Sequence, residues 1–397
     1  MIAQKMLSFM ERASWIRKMF EEGARLKEIH GADKVCDFSL GNPDLPPPTE
    51  FDRALIDEAQ RTGPGVHSYM QNAGYMDVRS RVADQVERDH GLRPDPNHVI
   101  MTCGAAGGLN CIFKAILDPG DEVITPAPFF VEYGFYVDNH GGKLVPVKAQ
   151  EDFSLDLDAI EAAIGPNTKA ILINSPNNPT GCVYSKESLK ALAEILEKKS
   201  SELGRVIYLV SDEPYRRLVF DGEEVPGLFD LYGPTIITTS FSKDLSIPGE
   251  RIGYCAINPS FEGKEQLAGA MTLANRILGF VNAPALMQRV VSKVLGKVVD
   301  VGVYQRRRDL FSAILEEAGL KFELPKGAFY FFPKTPIEDD KEFAAILQEE
   351  LILSVPGSGF GCPGHIRIAF CVEEEVIERS REGFKRAVKK ALSKGGS

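Results

Sequence analysis

The sequence contains no long apolar segment and no excess of basic residues. None of its apolar runs approaches the roughly 18 residues that a membrane-spanning helix requires, so we expect no membrane partner. The formal net charge is −10, and because nonspecific nucleic-acid binding needs a basic face, we expect no nucleic-acid partner. The first residues lack the apolar region and the cleavage site of a secretory signal, which favours a cytoplasmic location.

The seven cysteines are scattered along the chain and include no Cys-x-x-Cys pair. This spacing disfavours a disulfide framework and a zinc site, so no metal site is predicted. Of the 397 residues, 44% are hydrophobic and 26% are charged. These values are typical of a globular protein that is long enough for two or more packed domains.

Short apolar runs alternate with helical patterns in the first two thirds of the chain. The runs are HVIMT (98–102), DEVIT (121–125), KAILIN (169–174), VIYLVS (206–211) and TIITTS (235–240). This alternation predicts an α/β fold with a large domain built on a mostly parallel central sheet.

The remaining segments predict a smaller α+β domain. Helical patterns at 260–278, 284–298 and 300–318 precede short strands and helices. Near the other end, residues 11–30 have the apolar spacing of a helix that stops at a glycine, and a short strand is expected at 35–40. We assign 1–47 to an N-terminal arm with part of the small domain, 48–285 to the large domain and 286–397 to the small domain.

Residues whose side chains could bind or react with a ligand follow the apolar runs. This is where ligands bind in open α/β sheets. After the first run, the small residues Cys103 to Gly108 open a helix whose free N–H groups suit a phosphate, although the glycines alone fit a close-packed helix entry equally well. After the third run, prolines and Gly181 shape a loop that presents Asn178. After the fourth come Asp212 and Tyr215, a pair that is by itself most often surface decoration.

A lysine and two arginines complete these candidates. Lys243 lies between a strand end and a segment rich in glycine and proline, where partial burial would lower the amine pKa and make it a nucleophile. Arg251 follows eight residues later. Arg367 lies inside the alternating strand pattern of residues 365–370 and needs an anionic partner there, and the local pattern alone favours a structural ion pair.

Together these strings resemble the class I/II aminotransferases of fold type I, from about Asp37 to Phe370. The matching strings are Gly41 to Asp44, Tyr69, Ala73-Gly74, Gly104 to Gly108, Pro126 to Phe130, Ser175 to Gly181, Asp212 to Tyr215, Ser240 to Lys243, Arg251 to Gly253, and Arg367. The resemblance implies a pyridoxal-phosphate enzyme that moves an amino group between an L-amino acid and a 2-oxo acid through a ping-pong cycle.

The resemblance also implies a role for each catalytic residue. Lys243 would hold the cofactor through a Schiff base and shuttle a proton, and Asp212 would pair with the pyridine nitrogen. Asn178 and Tyr215 would hydrogen-bond the phenolic oxygen of the ring. Phe130 falls where the family has an aromatic residue that stacks on the ring.

Further residues would hold the phosphate and the substrate. The implied phosphate ligands are Ser240, Ser242, Arg251 and the helix entry at Gly104, Ala105 and Ala106. Arg367 would bind the α-carboxylate of the substrate, with Gly41 and Asn178 beside it. Tyr69 would reach the cofactor phosphate of a neighbouring subunit, which implies a homodimer with shared active sites.

The donor amino acid is less clearly indicated. The positions where relatives carry a basic residue for a side-chain carboxylate are Ala106 and Leu278 here, and Arg276 lies two residues away. The expected range is therefore aspartate or broad specificity with 2-oxoglutarate, and the run 277–281 leaves apolar or aromatic donors as the alternative. Trp15, Ile16 and Met19 are expected to cover the pocket as a lid.

Three other functions compete with this one. A carbon–sulfur β-lyase on the same fold would use the same cofactor residues. A regulator with this fold would need an N-terminal DNA-binding domain, and only about 35 residues precede the first strand, without a helix-turn-helix pattern. A dinucleotide-binding enzyme is disfavoured because the small-residue loop lacks the GxGxxG order.

Overall fold

A computed structural model describes residues 2–12 and 14–394, without the side chains of residues 11–21. The predicted lid residues Trp15, Ile16 and Met19 therefore lie outside the described side chains. The α-helices are α1 (Gln4–Arg12), α2 (Ser14–His30), α3 (Thr49–Ala59), α4 (Met76–His90), α5 (Gly104–Ile116), α6 (Glu132–Asp138), α7 (Leu157–Ala163), α8 (Lys186–Leu203), α9 (Lys264–Ile277), α10 (Ala285–Ser292), α11 (Val301–Glu317), α12 (Asp340–Glu349), α13 (Glu374–Arg379) and α14 (Arg381–Lys394). Among the helices of these ranges, none combines the length and the apolar character needed to cross a bilayer.

The strands form one large and two small sheets. They are β1 (Cys36–Asp37), β2 (Val99–Thr102), β3 (Glu122–Ala127), β4 (Lys143–Lys148), β5 (Thr168–Asn174), β6 (Tyr208–Asp212), β7 (Thr235–Ser240), β8 (Gly253–Ile257), β9 (Tyr330–Phe331), β10 (Ile352–Leu353), β11 (Val355–Pro356) and β12 (Ile366–Ala369). The large sheet has the order β2-β8-β7-β6-β5-β3-β4. Only β8 runs antiparallel to its neighbours, so the predicted α/β fold with a mostly parallel sheet is confirmed.

Both faces of the large sheet are buried, because helices cover each side. Along β5, Ile171 and Ile173 belong to one apolar core, whereas Ala170 and Leu172 belong to the core on the opposite face. This division follows from the alternation of side chains along a strand. A strand that is buried on both faces appears in the sequence as a continuous apolar run, which is why KAILIN identified it.

All five apolar runs are strands, but the sequence missed two members of the sheet. Strand β4 is the edge strand and contains Pro146, and its partly exposed side chains give no apolar run. Strand β8 is short and follows the Gly/Pro-rich segment without a helix between them. The helical patterns near residues 260, 284 and 300 correspond to α9, α10 and α11, with α10 ending at Ser292.

A third core holds the smaller part of the fold together. It gathers side chains from α11, α12, α14 and the three-stranded sheet β11-β12-β9. Phe38 and Cys36 from the N-terminal segment join it, and β1 pairs in parallel with β10. Tyr215 and Phe220 also pack there, although they follow a strand of the large sheet. The domain limits given above remain a prediction.

Candidate active site

A cavity of about 340 Å³ lies at the carboxyl edge of the large sheet. The pairing register places the strand ends level, since Asn174 faces Asp212 and Asp212 faces Thr238. The cavity is lined by Gly41, Ala105, Ala106, Leu109, Phe130, Glu132, Tyr133, Tyr136, Asn174, Asn178, Asp212, Pro214, Tyr215, Lys243, Tyr330 and Arg367. The fold thus brings together nine of the predicted site residues from separate parts of the chain.

A larger surface groove, of about 1060 Å³, contains none of the predicted site residues. Two of its three arginines are already paired with protein carboxylates, and the third, Arg88, donates to the side-chain amide of Gln85. Arg216 contacts Glu213 at 3.0 Å, and Arg217 contacts Asp89 at 2.7 Å. The smaller cavity is therefore the better candidate, because its charged groups are available to a ligand.

Lys243 lies three residues after β7, and its amine is held inside the cavity. The ammonium Nζ donates a hydrogen bond to the carbonyl oxygen of Gly41 at 2.7 Å. Burial lowers the pKa of Lys243 to about 8, and the positive charge of Arg367 acts in the same direction. A larger fraction of this lysine is thus neutral, and nucleophilic, at physiological pH than of an exposed lysine.

Asp212 is the last residue of β6. One of its carboxylate oxygens has a hydrogen-bond partner, and the other has none among the described residues. Its Oδ2 accepts a hydrogen bond from the hydroxyl of Tyr133 at 2.6 Å. Its Oδ1 is buried and has no hydrogen-bond partner among the described residues. Burial raises the pKa of Asp212 to about 7, whereas the Tyr133 hydrogen bond opposes this shift. Such an oxygen is suited to a ligand that brings an N–H donor.

Tyr215 and Tyr330 join the two parts of the fold inside the cavity. Their hydroxyl oxygens lie 2.8 Å apart, within hydrogen-bond distance. A Cβ atom at Gly41 would lie 1.9 Å from the hydroxyl oxygen of Tyr330, so only glycine fits there. This close approach also brings the Gly41 carbonyl within reach of Lys243.

Arg367 is buried in β12 and is bound only by neutral groups. Its Nη1 donates to Oδ1 of Asn178 at 3.2 Å, and its Nη2 donates to the carbonyl oxygen of Ser39 at 2.6 Å. Its Nε is buried without a partner. Since no carboxylate of the described residues pairs with it, the structural ion pair favoured by the local pattern is wrong. A buried guanidinium of this kind is suited to a ligand carboxylate.

The residues predicted to bind the phosphate lie around the first residue of α5. This helix begins at Gly104 and has no side-chain cap, so its first N–H groups are free. Gly104 has a φ of +73°, and a Cβ atom there would lie 2.7 Å from Nη2 of Arg251. Ser240 and Ser242 are buried. Of this group, Ala105 and Ala106 line the cavity, whereas Gly104, Ser240, Ser242 and Arg251 do not.

Sequence reasoning missed several residues of the cavity wall. Tyr133 and Glu132 follow Phe130 on α6, and Tyr330 comes from the small sheet. Phe130 meets the Tyr133 ring edge-on, with the ring centroids 5.6 Å apart. The segment after β3 contains five aromatic residues within eight positions, 129–136, and this was the available signal for Tyr133. No local pattern pointed to Tyr330.

Two further predicted residues, Tyr69 and Arg276, also lie outside this cavity. Tyr69 is 89% exposed. Arg276 is exposed near the end of α9. Neither lines the cavity of its own chain.

The model of the family described as aminotransferase class I and II matches residues 33–384. The chain belongs to this family. It is 34% identical to an aspartate/prephenate aminotransferase of Thermus thermophilus, with 91% of this chain and 92% of that protein covered. It is 33% identical to an aspartate aminotransferase of Bacillus subtilis over 92% of this chain and 95% of that protein.

Solved structures agree with this assignment. An aminotransferase from Eubacterium rectale has a TM-score of 0.94 and 39% identity, and the match covers 98% of this chain and 99% of that one. Aspartate aminotransferase from Thermus thermophilus with maleate has a TM-score of 0.84 and 30% identity, covering 94% and 96%. The chain is therefore a pyridoxal-phosphate-dependent aminotransferase of fold type I.

The described residues fit pyridoxal phosphate. The cofactor needs an amine for its aldehyde, an acid for its pyridine nitrogen and an anion site for its phosphate. Lys243 supplies a buried amine, and Asp212 supplies a buried oxygen without a partner. The uncapped start of α5 beside Arg251 supplies the anion site.

Proposed function

We propose that this aminotransferase uses Lys243 and Arg367 as the two ends of one substrate site, with aspartate or a broad range of amino acids as donors. The supporting observation is that the buried guanidinium of Arg367, which no carboxylate of the described residues contacts, lines the same cavity as the buried amine of Lys243. Bound pyridoxal phosphate supplies an aldehyde that takes up the amino group and a ring that withdraws electrons from the α-carbon.

Lys243 would have two roles. Its Nζ would hold the cofactor until the amine of the substrate takes that place, and the freed amine would then accept the proton from the α-carbon. The lowered pKa favours this second role, because a neutral amine accepts the proton. The carbonyl of Gly41 orients Nζ.

Asp212 would keep a proton on the pyridine nitrogen of the cofactor. Its Oδ1, which has no partner among the described residues, would accept the N–H, while Tyr133 holds Oδ2 in place. Asn178 and Tyr215 would donate to the phenolic oxygen of the ring, and Phe130 would pack against the ring face.

The phosphate is held at the start of α5. Gly104 permits the close approach of Arg251, the N–H groups of Ala105 and Ala106 are free, and Ser240 and Ser242 add hydroxyl donors. Tyr69 of the partner subunit completes this site in a homodimer. Its exposed ring in a single chain supports this role.

Arg367 binds the α-carboxylate, with Gly41 and Asn178 beside it. The names of relatives indicate aspartate as a donor, but among the described residues the cavity wall has no third cation for a second carboxylate. Arg276 of the partner subunit is the residue we propose for that purpose. We also propose a cytoplasmic, biosynthetic role in amino-acid metabolism.

An absorbance experiment tests this function. Purified protein is mixed with one amino donor at a time, without an acceptor. We expect the visible absorbance of the bound cofactor to bleach with one equivalent of 2-oxo acid per site, and to return when a 2-oxo acid such as 2-oxoglutarate is added. Continuous release of pyruvate and ammonia would instead indicate a β-lyase, and a protein that cannot be loaded with pyridoxal phosphate would contradict the proposal.

A further inference from the structure

Glu213 is a buried carboxylate that directly follows Asp212, and the proposed mechanism does not use it. The residue is 3% exposed, so its own chain already encloses it and leaves no surface for a partner subunit. Asp212 lines the cavity and Glu213 does not, as expected from the alternation of side chains along an extended chain. Any influence of Glu213 on the cavity therefore passes through the residues beside it.

A hydrogen bond across Asp212 joins its two neighbours in sequence. The hydroxyl of Ser211 donates to Oε1 of Glu213 at 2.7 Å. Residues two apart in a strand point to the same face, so both side chains lie opposite to that of Asp212. The bond therefore brackets the backbone at Asp212 and restrains its rotation about the strand axis.

Backbone contacts hold the same segment from both neighbouring strands. The side-chain amide of Asn174 donates to the carbonyl oxygen of Asp212 at 2.8 Å. On the other side, the N–H of Glu213 donates to the carbonyl oxygen of Thr238 at 2.9 Å, and the hydroxyl of Thr239 donates to the carbonyl oxygen of Glu213 at 2.9 Å. The end of β6 is thus fixed within the sheet, and the bracket adds a restraint on the direction of the Asp212 side chain.

Glu213 is in turn attached to the end of α4. Its Oε2 accepts a hydrogen bond from Nη1 of Arg216 at 3.0 Å and lies 3.3 Å from Nε2 of His90. Burial would raise the pKa of Glu213, but its contacts with His90, Arg216 and Ser211 lower this pKa to about 2. Arg216 also donates to the carbonyl oxygen of Asp89. Glu213 therefore stays ionised, and both of its oxygens are held in place.

We propose that Glu213 is a positioning residue that directs Oδ1 of Asp212 at the pyridine nitrogen of the bound cofactor. This Oδ1 is the buried oxygen without a partner among the described residues, whereas Oδ2 accepts a hydrogen bond from Tyr133. Tyr133 holds the carboxylate from the cavity side, and Glu213 holds its backbone from the opposite face. The inference rests on the proposed role of Asp212 and leaves the choice of amino donor as proposed above.

The charge of Glu213 acts in the same direction as the bracket. Burial raises the pKa of Asp212, the Tyr133 hydrogen bond lowers it, and the negative charge of Glu213 raises it again. A more basic carboxylate is a stronger acceptor for the N–H of the ring. Loss of the charge and loss of the bracket are therefore both expected to weaken the contact made by Oδ1.

The test compares two ligands that differ only at the ring nitrogen. Pyridoxamine phosphate has a ring nitrogen that can carry an N–H for Asp212, whereas its 1-deaza analogue has a C–H in that place. Calorimetric binding to cofactor-free protein gives the ratio of the two dissociation constants without turnover. In the wild-type protein we expect pyridoxamine phosphate to bind about tenfold or more tightly, the size of a charge-assisted hydrogen bond. Glu213→Gln should reduce this ratio about fivefold and leave the affinity for the deaza analogue nearly unchanged.

A second variant separates the bracket from the buried charge. Ser211→Ala removes the bracket and keeps the ion pairs of Glu213, so it decides the question if Glu213→Gln does not fold. It should reduce the ratio about threefold. The matched control is Glu58→Gln, because Glu58 is equally buried and contacts three basic side chains but lies on α3, away from the cavity. This control should leave the ratio unchanged.

The possible failures can be told apart. If Glu213→Gln and Ser211→Ala weaken the binding of both ligands equally, Glu213 only supports the fold and the inference is overturned. A ratio that falls as much in Glu58→Gln would overturn it as well. If the wild-type protein binds both ligands equally tightly, the proposed role of Asp212 is wrong, and the inference falls with it.

Discussion

We expect the ionisation of Lys243 to control how readily the protein takes up its cofactor. Because the folded pKa of about 8 lies below the ordinary lysine value of 10.5, the neutral amine appears as pH rises through about 8. We expect the rate of cofactor attachment to cofactor-free protein, followed by absorbance, to rise with pH and level off above this value. A midpoint near 10 would contradict the lowered pKa.

The positive charge of Arg367 contributes to that shift, so a charge-removing substitution should move the midpoint. Arg367→Gln is expected to shift the attachment midpoint to higher pH, because one repulsive charge near Nζ is lost. Arg306→Gln removes an exposed charge on α11 and should leave the midpoint in place.

Arg367 should also affect all donors alike. Every amino acid presents an α-carboxylate, so Arg367→Ala is expected to raise KM about ten- to a hundredfold for acidic, apolar and cationic donors, in line with a lost charge-assisted contact. Steady-state kinetics over the donor series measures this. A defect confined to dicarboxylic donors would show that Arg367 binds the side-chain carboxylate instead of the α-carboxylate.

Tyr133 sets the ionisation of Asp212. Its hydrogen bond lowers the pKa of a carboxyl group that burial has raised to about 7. Tyr133→Phe removes the bond, so Asp212 should stay protonated to higher pH, and the acidic limb of the kcat–pH profile should move upward. Tyr232→Phe, which removes a hydroxyl bonded to Ile207 outside the cavity, is the control. Identical profiles for wild type and Tyr133→Phe would refute the assignment.

At the scale of elements, the first turns of α5, where we propose that the phosphate binds, lie very close to the large sheet. A Cβ atom at Gly108 would lie 2.3 Å from Oγ1 of Thr238 on β7 and 2.7 Å from Sγ of Cys255 on β8. At Gly107, one position earlier, the nearest atom would be an ordinary 3.4 Å away. Close packing against the sheet therefore requires glycine at 108, whereas the space at 107 also accommodates a Cβ atom.

Alanine substitutions at the two positions test this difference. Gly108→Ala should lower the free energy of unfolding by about 1–3 kcal/mol through overpacking. Gly107→Ala should be neutral or raise it by up to about 1 kcal/mol, because alanine favours the helix and fits the space. Denaturant unfolding of both variants measures this, and equal destabilisation by the two would show that α5 does not sit as close to the sheet as described.

Comparison of the elements shows which parts of the site the sequence could predict. Asn178, Asp212 and Lys243 were predictable, because each follows an apolar run and the carboxyl ends of parallel strands meet at one edge. Tyr330 was not predictable from local pattern, because it reaches the cavity only through the packing of the small sheet against the loop at Gly41. Glu132 was not predictable either, because an acidic residue in the first turn of a helix is common and does not indicate a position on a cavity wall.

At the scale of the whole molecule, the cavity needs both parts of the fold. Tyr215 extends from the large sheet into the core of the small part, where it meets Tyr330. The ring of Tyr69 is exposed, and no comparable hydrogen bond joins it to the part of the chain that the structure describes. A second copy is the natural source of that contact, and we expect the purified protein to sediment as a homodimer.

Mixing two inactive variants tests whether Tyr69 acts across the interface. A hybrid of a Lys243→Ala chain and a Tyr69→Ala chain has one site with both defects and one site with neither, provided that Tyr69 serves the partner's cofactor. Random exchange makes half of the dimers hybrids, so about a quarter of all sites should regain wild-type activity. If Tyr69 served its own chain, every site would keep one defect, and mixing would give only the average of the two parent activities.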